Sequence, residues 1–223
     1  MKNDFFNKKI LVTGASGSIG SEITKKLLSK KCKVIRALSN DENGLYDLSN
    51  QINHKKNIRF IHGDISDKER CIIATEDIDI VIHAAAMKHV PLCEYNPFEA
   101  NKTNVIGTQN LVMASLKNNV KKFLHISTDK VVDPISCMGA TKLLAERIVI
   151  NGNIVKGSKK TLFSCARFGN VIGSRGSVLP NLVHQIKSNK PMTITHKDMV
   201  RYFINIEDSS NVLTGCISVS YTH

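Results

Sequence analysis

Ser127-Thr128-Asp129-Lys130 puts two hydroxyls, a carboxyl and an amine in four consecutive positions. Such a set can hold a ligand hydroxyl and offer an acid and a base to one proton-transfer step. That chemistry asks for an Asp129 pKa raised by burial and a depressed Lys130 pKa. A second lysine, Lys142, lies four residues beyond Met138 on a helical pattern from Cys137 to Ile150, so the two share one helix face. The apolar run Phe123 to Ile126, inside a strand expected over Lys121 to Ser127, comes just before. Strand, polar cluster, helix is the order in which open parallel α/β sheets present ligand-binding groups, at the carboxyl ends of their strands. On its own, a polar cluster after a strand reads equally well as plain loop chemistry.

The elements that must position this cluster begin at Lys9 to Thr13, a short β-branched run. Gly14-Ala15-Ser16-Gly17-Ser18-Ile19-Gly20 follows and opens a helix that runs to about Lys30. Strand, glycine-rich turn and helix form the context of a dinucleotide site. Gly14 allows the tight turn, Gly17 a close backbone approach to a pyrophosphate, and Gly20 close packing of helix on strand. The helix N-terminus adds N–H groups and positive potential. The whole turn, Gly14, Ser16, Gly17, Ser18, Ile19 and Gly20, is the expected cradle for NAD or NADP. Lys33 to Leu38 is the second strand. Ser39 and Asn40 at its end can meet either a ribose 2′-hydroxyl or a 2′-phosphate, and Asp41 suits a helix cap. The choice between NAD and NADP stays open.

Further strands are expected over Asn57–His62, Asp79–His83 and Thr161–Arg167, with a short one over Met192–Thr195. Asp67 reads as a helix cap. Ala84-Ala85-Ala86 after the fourth strand lets a loop pass close to a cofactor. Pro97 starts a long helix over Phe98–Asn118. Leu179–Ser188 and the stretch from Ile206 are helical. Strands alternate with helices at regular spacing, so the expected fold is α/β: a Rossmann-like, doubly wound parallel sheet with helices on both faces. Residues 1–168 form the dinucleotide-binding domain and 169–223 a partial substrate-binding region.

At 223 residues, 42% hydrophobic and 22% charged, the chain can bury one good core. No apolar run approaches the ~20 residues of a membrane span. The N-terminus lacks the apolar core of a signal peptide, so a cytoplasmic protein without membrane contact is expected. The six cysteines show no metal or redox spacing and read as free thiols; the eight histidines form no ligand-spaced pair, and no metal site is expected. The net charge of +12 comes partly from six lysine pairs, expected to be spread over the surface. With aromatics at 5%, nucleic-acid binding is the weakest use of that charge, and attraction of an anionic nucleotide a better one.

The Ser-Thr-Asp-Lys run, with Met138 and Lys142 beyond it, resembles the active site of extended short-chain dehydrogenases/reductases. In those enzymes a tyrosine stands four residues before the lysine. Met138 at that place resembles one branch, the nucleotide-sugar 4,6-dehydratases acting on UDP-N-acetylglucosamine. Ala-Ala-x-Lys-His-Val-Pro at 85–91, Glu94-Tyr95-Asn96-Pro97, and Arg167-Phe168-Gly169-Asn170-Val171-Ile172-Gly173-Ser174-Arg175 resemble the same branch. The resemblance implies several roles. Asp64, with Ile65, lies near the adenine, and Ala84, Ala85 and Ala86 line the cofactor. Lys88 and His89 face the substrate, and Asn104 steadies the neighbouring loop. Asn170 and Ser174 meet the sugar nucleotide, while Arg175 and Arg201 approach the diphosphate. Lys142 holds the nicotinamide ribose, and Thr128 or Ser127 bonds the C4 oxygen. Asp129 protonates the departing 6-hydroxyl and Lys130 takes the C5 proton. Met138 resembles dehydratases that retain the C5 configuration. A homo-oligomer is expected. Members of the branch continue beyond the position matching Gly215, so the resemblance implies a shortened member, and Cys216–His223 matches nothing recognisable. A 4-epimerase, which needs no elimination pair, and a cofactor-binding protein without turnover are the rival readings.

Overall fold

The computed structural model describes residues 4–52, 55–194 and 196–218. Six strands, β1 (Lys9–Thr13), β2 (Val34–Ser39), β3 (Ile58–His62), β4 (Ile80–His83), β5 (Lys122–Thr128) and β6 (Leu162–Phe168), form one sheet in the order β3-β2-β1-β4-β5-β6. All five pairings are parallel. The chain builds outward from β1 on one side, then returns to β4 and builds outward on the other. The crevice between the ends of β1 and β4 is therefore the topological switch point, where ligands bind in such sheets.

Alternation along each strand divides the core. Ile10 and Val12 of β1, with Ile82 of β4 and Leu124 of β5, join Ile23 and Leu27 of α1 (Ser18–Ser29). Leu11, Val81 and Phe123 point to the other face and pack with Leu111 of α6 (Gly107–Lys117) and Val149 of α7 (Cys137–Val155). Successive residues of a strand face opposite sides, so both faces carry apolar side chains and the strands read as nearly unbroken apolar runs. The first face also takes Leu213 and Ile217 of α9 (Ile206–Ser218), which returns to pack on α1.

Helices α2 (Glu42–Gln51) and α3 (Lys68–Thr75) are capped by the acids expected to do so: Gly44 N donates to Asp41 Oδ1 at 2.9 Å and Arg70 N to Asp67 Oδ1 at 3.0 Å. The helix after Pro97 differs from a single α-helix. A short α4 (Val90–Tyr95) precedes it, and α5 (Pro97–Ala100) passes through a wider π-helical turn, Asn101–Ile106, before α6. Pro97 and the buried Asn104 explain this: the ring starts the helix anew, and the amide needs a widened turn to reach its partners. No strand forms over Met192–Ile194 (Thr195 lies outside the described residues). Asn170–Val171 (β7) instead pairs with Phe203–Ile204 (β8), leaving 192–194 exposed without a sheet neighbour. Helix α8 (Val178–Lys187) completes this region.

The lysine pairs are not spread evenly. Lys8-Lys9, Lys55-Lys56, Lys121-Lys122 and Lys159-Lys160 sit at or just ahead of β1, β3, β5 and β6, and Lys30-Lys31 ahead of β2. A parallel sheet brings all strand starts to one edge, so these pairs gather on the rim opposite the switch-point crevice.

Gly20 of α1 packs directly against the turn after β1. A Cβ on Gly20 would lie 2.1 Å from the Gly14 carbonyl oxygen. Gly20→Ala is expected to lower the unfolding free energy by about 1–3 kcal/mol, measured by urea denaturation; an unchanged midpoint would show that the turn relaxes freely.

Candidate active site

At the end of β5 the chain makes one 3₁₀ turn, Asp129–Val131, with Thr128 accepting from Lys130 N at 3.4 Å. This turn folds the polar cluster onto itself. Thr128 Oγ1 donates to Asp129 Oδ1 at 2.9 Å, and Lys130 Nζ donates to the same oxygen at 3.0 Å and to Asn170 Oδ1 at 2.9 Å. Burial pushes the Asp129 carboxyl upward, but the Lys130 and Thr128 bonds outweigh it and hold the pKa below the ordinary value. The raised pKa expected from the sequence is therefore corrected: a cation in direct contact wins over partial desolvation.

Ser136 caps α7 by accepting from Gly139 N at 3.1 Å, and two turns later the helix brings Lys142 under the sheet end. Lys142 is 6% exposed. Its ammonium donates to the Ile126 carbonyl at 2.6 Å and stands 3.2 Å from His125 Nε2. Burial pushes its pKa down to about 8, against an upward pull from Cys165 and Glu146. Glu146, one turn further along, is clasped by Arg167 through Nε to Oε1 at 2.9 Å and Nη2 to Oε2 at 2.6 Å. Met138 is buried against Cys93 and Ala100 and carries no proton to transfer.

Ser127, Thr128, Lys130, Met138, Lys142 and Asn170 line a cleft of about 640 Å³; Asp129 is not in its lining and reaches it through its bonds to Thr128 and Lys130. Its other wall is the glycine turn. Gly14 has φ of +65°, and a Cβ there would meet the Ala85 backbone at 2.7 Å. Gly17 caps α1 without any side-chain bond, which leaves the first N–H groups of that helix facing the cleft. The bare helix start and the close glycine–alanine backbones fit a dinucleotide pyrophosphate. At the end of β2, the Ser39 and Ser16 hydroxyls bond each other at 2.7 Å, and Asn40 Nδ2 donates to Asp64 Oδ2 at 2.8 Å. Ser66 N donates to Asp64 Oδ1 at 2.8 Å; these bonds outweigh burial and lower the Asp64 pKa. Ile65 is buried beside Gly107. Asn104, 1% exposed, accepts from Met87 N at 2.8 Å and donates to Met87 O at 3.1 Å and to Thr141 Oγ1 at 3.0 Å. It ties the loop after β4 to α7.

The third wall is the loop after β6. Lys88 Nζ donates to the Arg175 carbonyl at 2.7 Å, and burial followed by the Arg175 charge lowers its pKa. His89 packs on Gly176, where a Cβ would lie 2.3 Å from the ring. Asn170 and Ser174 line the cleft as expected. Arg175 lines it too, but its guanidinium turns back to Ser16 O at 2.8 Å and to Asp41 Oδ2 at 3.4 Å, on the glycine-turn side. Arg201 is not brought in: it is exposed and bonds only the carbonyl of Val200. The sequence reading missed His125, His83 and the Glu146–Arg167 pair. A histidine inside the apolar run Phe123–Ile126 was the available signal.

Residues 10–222 match the family described as polysaccharide biosynthesis protein. The chain belongs to that family. Among its relatives are the uncharacterized membrane protein MJ1061 of Methanocaldococcus jannaschii, 54% identical over 97% of this chain and 65% of its own length, and a UDP-N-acetylglucosamine 4,6-dehydratase (inverting) of Campylobacter jejuni, 45% identical over 92% and 61%. A UDP-glucose 4-epimerase of Rickettsia bellii is 40% identical over 94% and 62%. The solved structure of Pen from Bacillus thuringiensis superposes with a TM-score of 0.95 at 40% identity, covering 97% of this chain and 67% of that one. The chain thus spans under two thirds of the length of these three sequence relatives. No helix among the described residues is long and apolar enough to cross a membrane.

The buried lysine has a measurable consequence for stability. Its pKa is about 8 in the folded chain against 10.5 ordinarily. Between those values the unfolded chain holds more protons, so stability rises with pH across the window. Below it the cost of burying the cation is complete; above it the cost is gone. Lys142→Met is expected to raise the unfolding free energy at pH 7 by roughly 3 kcal/mol, with the gain vanishing above pH 10.5. Urea melts at both pH values check it, and a loss of stability at pH 7 would contradict it.

Proposed function

We propose that this family member is a nucleotide-sugar 4,6-dehydratase that takes UDP-N-acetylglucosamine, with NAD or NADP as its resident cofactor. The observation that carries the reading is the hydrogen-bonded set Thr128–Asp129–Lys130 at the cleft mouth, beside Lys142 and facing Asn170. The relative from Campylobacter jejuni that bears the dehydratase name supports it.

A nicotinamide cofactor, which the Gly14–Gly20 turn and Lys142 would hold, would supply hydride-transfer chemistry between sugar C4 and C6. The residues handle the protons. Thr128 Oγ1 lies 2.9 Å from a carboxylate held ionised by Lys130. It accepts the proton of the 4-hydroxyl while passing its own to Asp129, a role that Met138 cannot fill. Asp129 is then the acid, and it gives that proton to the departing 6-hydroxyl, which leaves as water. Lys130, with its side chain 36% exposed, enters this step as the free amine after giving an ammonium proton to solvent. The resulting free amine takes the C5 proton. The 4-hydroxyl proton and the 6-hydroxyl make the water released, and Lys130 returns a proton to C5 as C6 is reduced, so the proton balance closes. A depressed Asp129 pKa suits this order, because the carboxylate must be a base before it is an acid. Lys142 holds the nicotinamide ribose with the N–H not committed to the protein.

Incubation with UDP-N-acetylglucosamine and NAD or NADP, followed by mass spectrometry, tests the reading. Loss of one water is expected, with turnover reduced on the order of 10²-fold or more by Asp129→Asn and by Lys130→Ala. The Met138 resemblance favours retention at C5, whereas the Campylobacter jejuni relative is named as inverting; proton NMR of the product reads which one holds. A product of unchanged mass but inverted C4 would establish the 4-epimerase reading, which the Rickettsia bellii relative favours. Unchanged substrate with bound cofactor would point to a binding protein.

A further inference from the structure

Behind the catalytic cluster lies a second set of polar groups that the proposed chemistry does not use. Strand alternation sends His83 of β4 and His125 of β5 to the same face as Phe123, under α6 and α7. Both are nearly inaccessible, 0% and 1% exposed, with ring centroids 4.9 Å apart. The two rings differ in their bonds. Thr108 Oγ1 donates to the Asn104 carbonyl at 2.6 Å, so toward His83 Nε2 at 2.9 Å it can only accept. His83 therefore carries its proton on Nε2 and accepts from Thr13 Oγ1 at 2.8 Å through Nδ1. His83 is fully satisfied. His125 is not: Nε2 faces the Lys142 ammonium at 3.2 Å, and Nδ1 is buried with no partner.

An ammonium has no lone pair, so Nε2 beside it must be the unprotonated nitrogen. That forces the proton of His125 onto Nδ1, the atom without a partner. A buried donor left unbonded is costly and calls for an explanation. Here the explanation lies at the other nitrogen. We propose that His125 is a positioning residue for Lys142: its Nε2 and the Ile126 carbonyl take two of the three ammonium protons and aim the third into the cleft. The inference rests on the proposed role of Lys142 in holding the cofactor ribose.

The charged and titratable groups on the elements around the ammonium are His125 on β5, His83 on β4, Glu146 on α7, Cys165 with Arg167 on β6, and Asp129 with Lys130 on the 3₁₀ turn packed against α7. Burial and then the Lys142 charge keep His125 neutral far below its ordinary range, and His83 is pushed down to about 3 by the same causes. Neither ring competes for the cation's proton at neutral pH. Glu146 is occupied by Arg167. His125 and the Ile126 carbonyl are thus the two direct acceptors of Lys142 among the described residues.

Two measurements test the inference. Nitrogen-15 NMR of the ligand-free chain, with His125 assigned by the signal lost in His125→Gln, reads its tautomer. The Nδ1–H form is expected near pH 7; an Nε2–H form would overturn the inference, since that nitrogen then cannot accept. The second measurement is the affinity for NADH and NADPH between pH 6 and 10. In the wild-type chain, affinity should fall as Lys142 deprotonates, near pH 8. His125→Leu removes an acceptor of the cation, so the midpoint should move down by about one pH unit. His125→Gln restores an acceptor and should return it. A merely structural histidine would lower the melting temperature of both variants and leave the midpoint in place, and that result would also overturn the inference. If the wild-type chain binds neither cofactor at any pH, the functional reading fails, while the tautomer still decides the role of His125.

Discussion

A positive charge kept out of water constrains everything around it. The Lys142 ammonium is held in the interior only because acceptors converge on it from a neighbouring strand. The Ile126 carbonyl is available because β5 ends just beyond it and the chain turns away at Asp129. His125 is available because the pleat of β5 turns position 125 to the α7 side. Helix α7 is brought to this depth by small residues: Gly139 lies against the Lys130 carbonyl and Gly152 against the ring of Phe163, at distances where a Cβ would lie within 3 Å. The loop after β4 is drawn to the same helix through Asn104 and Thr141. The turn after β5 and the loop after β4 thus share α7 as a support, and its centre is a group that the fold would be more stable without.

The fold was legible in the sequence wherever one local rule acted alone. The strand–glycine turn–helix unit at the N-terminus, the six core strands and the caps Asp41 and Asp67 depend on residues close in the chain. Errors appeared where distant segments decide the outcome. Met192–Thr195 has strand composition, but β7 finds its partner at Phe203–Ile204, and composition says nothing about which of two short segments pairs. The π-helical turn at Asn101–Ile106 follows from where Met87 and Thr141 lie, neither of which is near in sequence. The lysine pairs illustrate the same point at the scale of the whole sheet. Five of the six pairs stand at the start of a strand, a local fact (Lys25-Lys26 lies in α1), while their gathering on one rim follows only from all the strands being parallel.

The site shows a similar division. The order Ser-Thr-Asp-Lys, then Met138 and Lys142, located the cluster, and the structure brings Ser127, Thr128, Lys130, Met138 and Lys142 to one cleft, with Asp129 bonded to Thr128 and Lys130 just behind its lining. Electrostatics was the part that sequence could not carry. Partial burial alone raises the pKa of a carboxyl, but a hydrogen-bonded ammonium lowers it further than this burial lifts it. Whether Lys130 reaches Asp129 depends on the 3₁₀ turn between them and on Asn170 holding the amine from across the cleft. Arg175 likewise carries the right charge for a diphosphate, yet in the ligand-free chain its side chain is committed to Ser16 and Asp41. Meeting the substrate would require it to leave those partners.

Two lysines in one site therefore answer to different environments. Lys130 is partly exposed and has a carboxylate at 3.0 Å, so its charge is supported by a neighbour that itself changes protonation during the proposed cycle. Lys142 is buried and has only neutral acceptors in contact, so its charge is supported by dipoles that do not change. The first arrangement suits a group that must lose a proton and regain it within each turnover. The second suits a group that must remain a cation throughout, and a histidine whose own charging is suppressed by burial is a fitting support for it. Exchanging the two environments would leave the composition of the site unaltered and remove the division of labour.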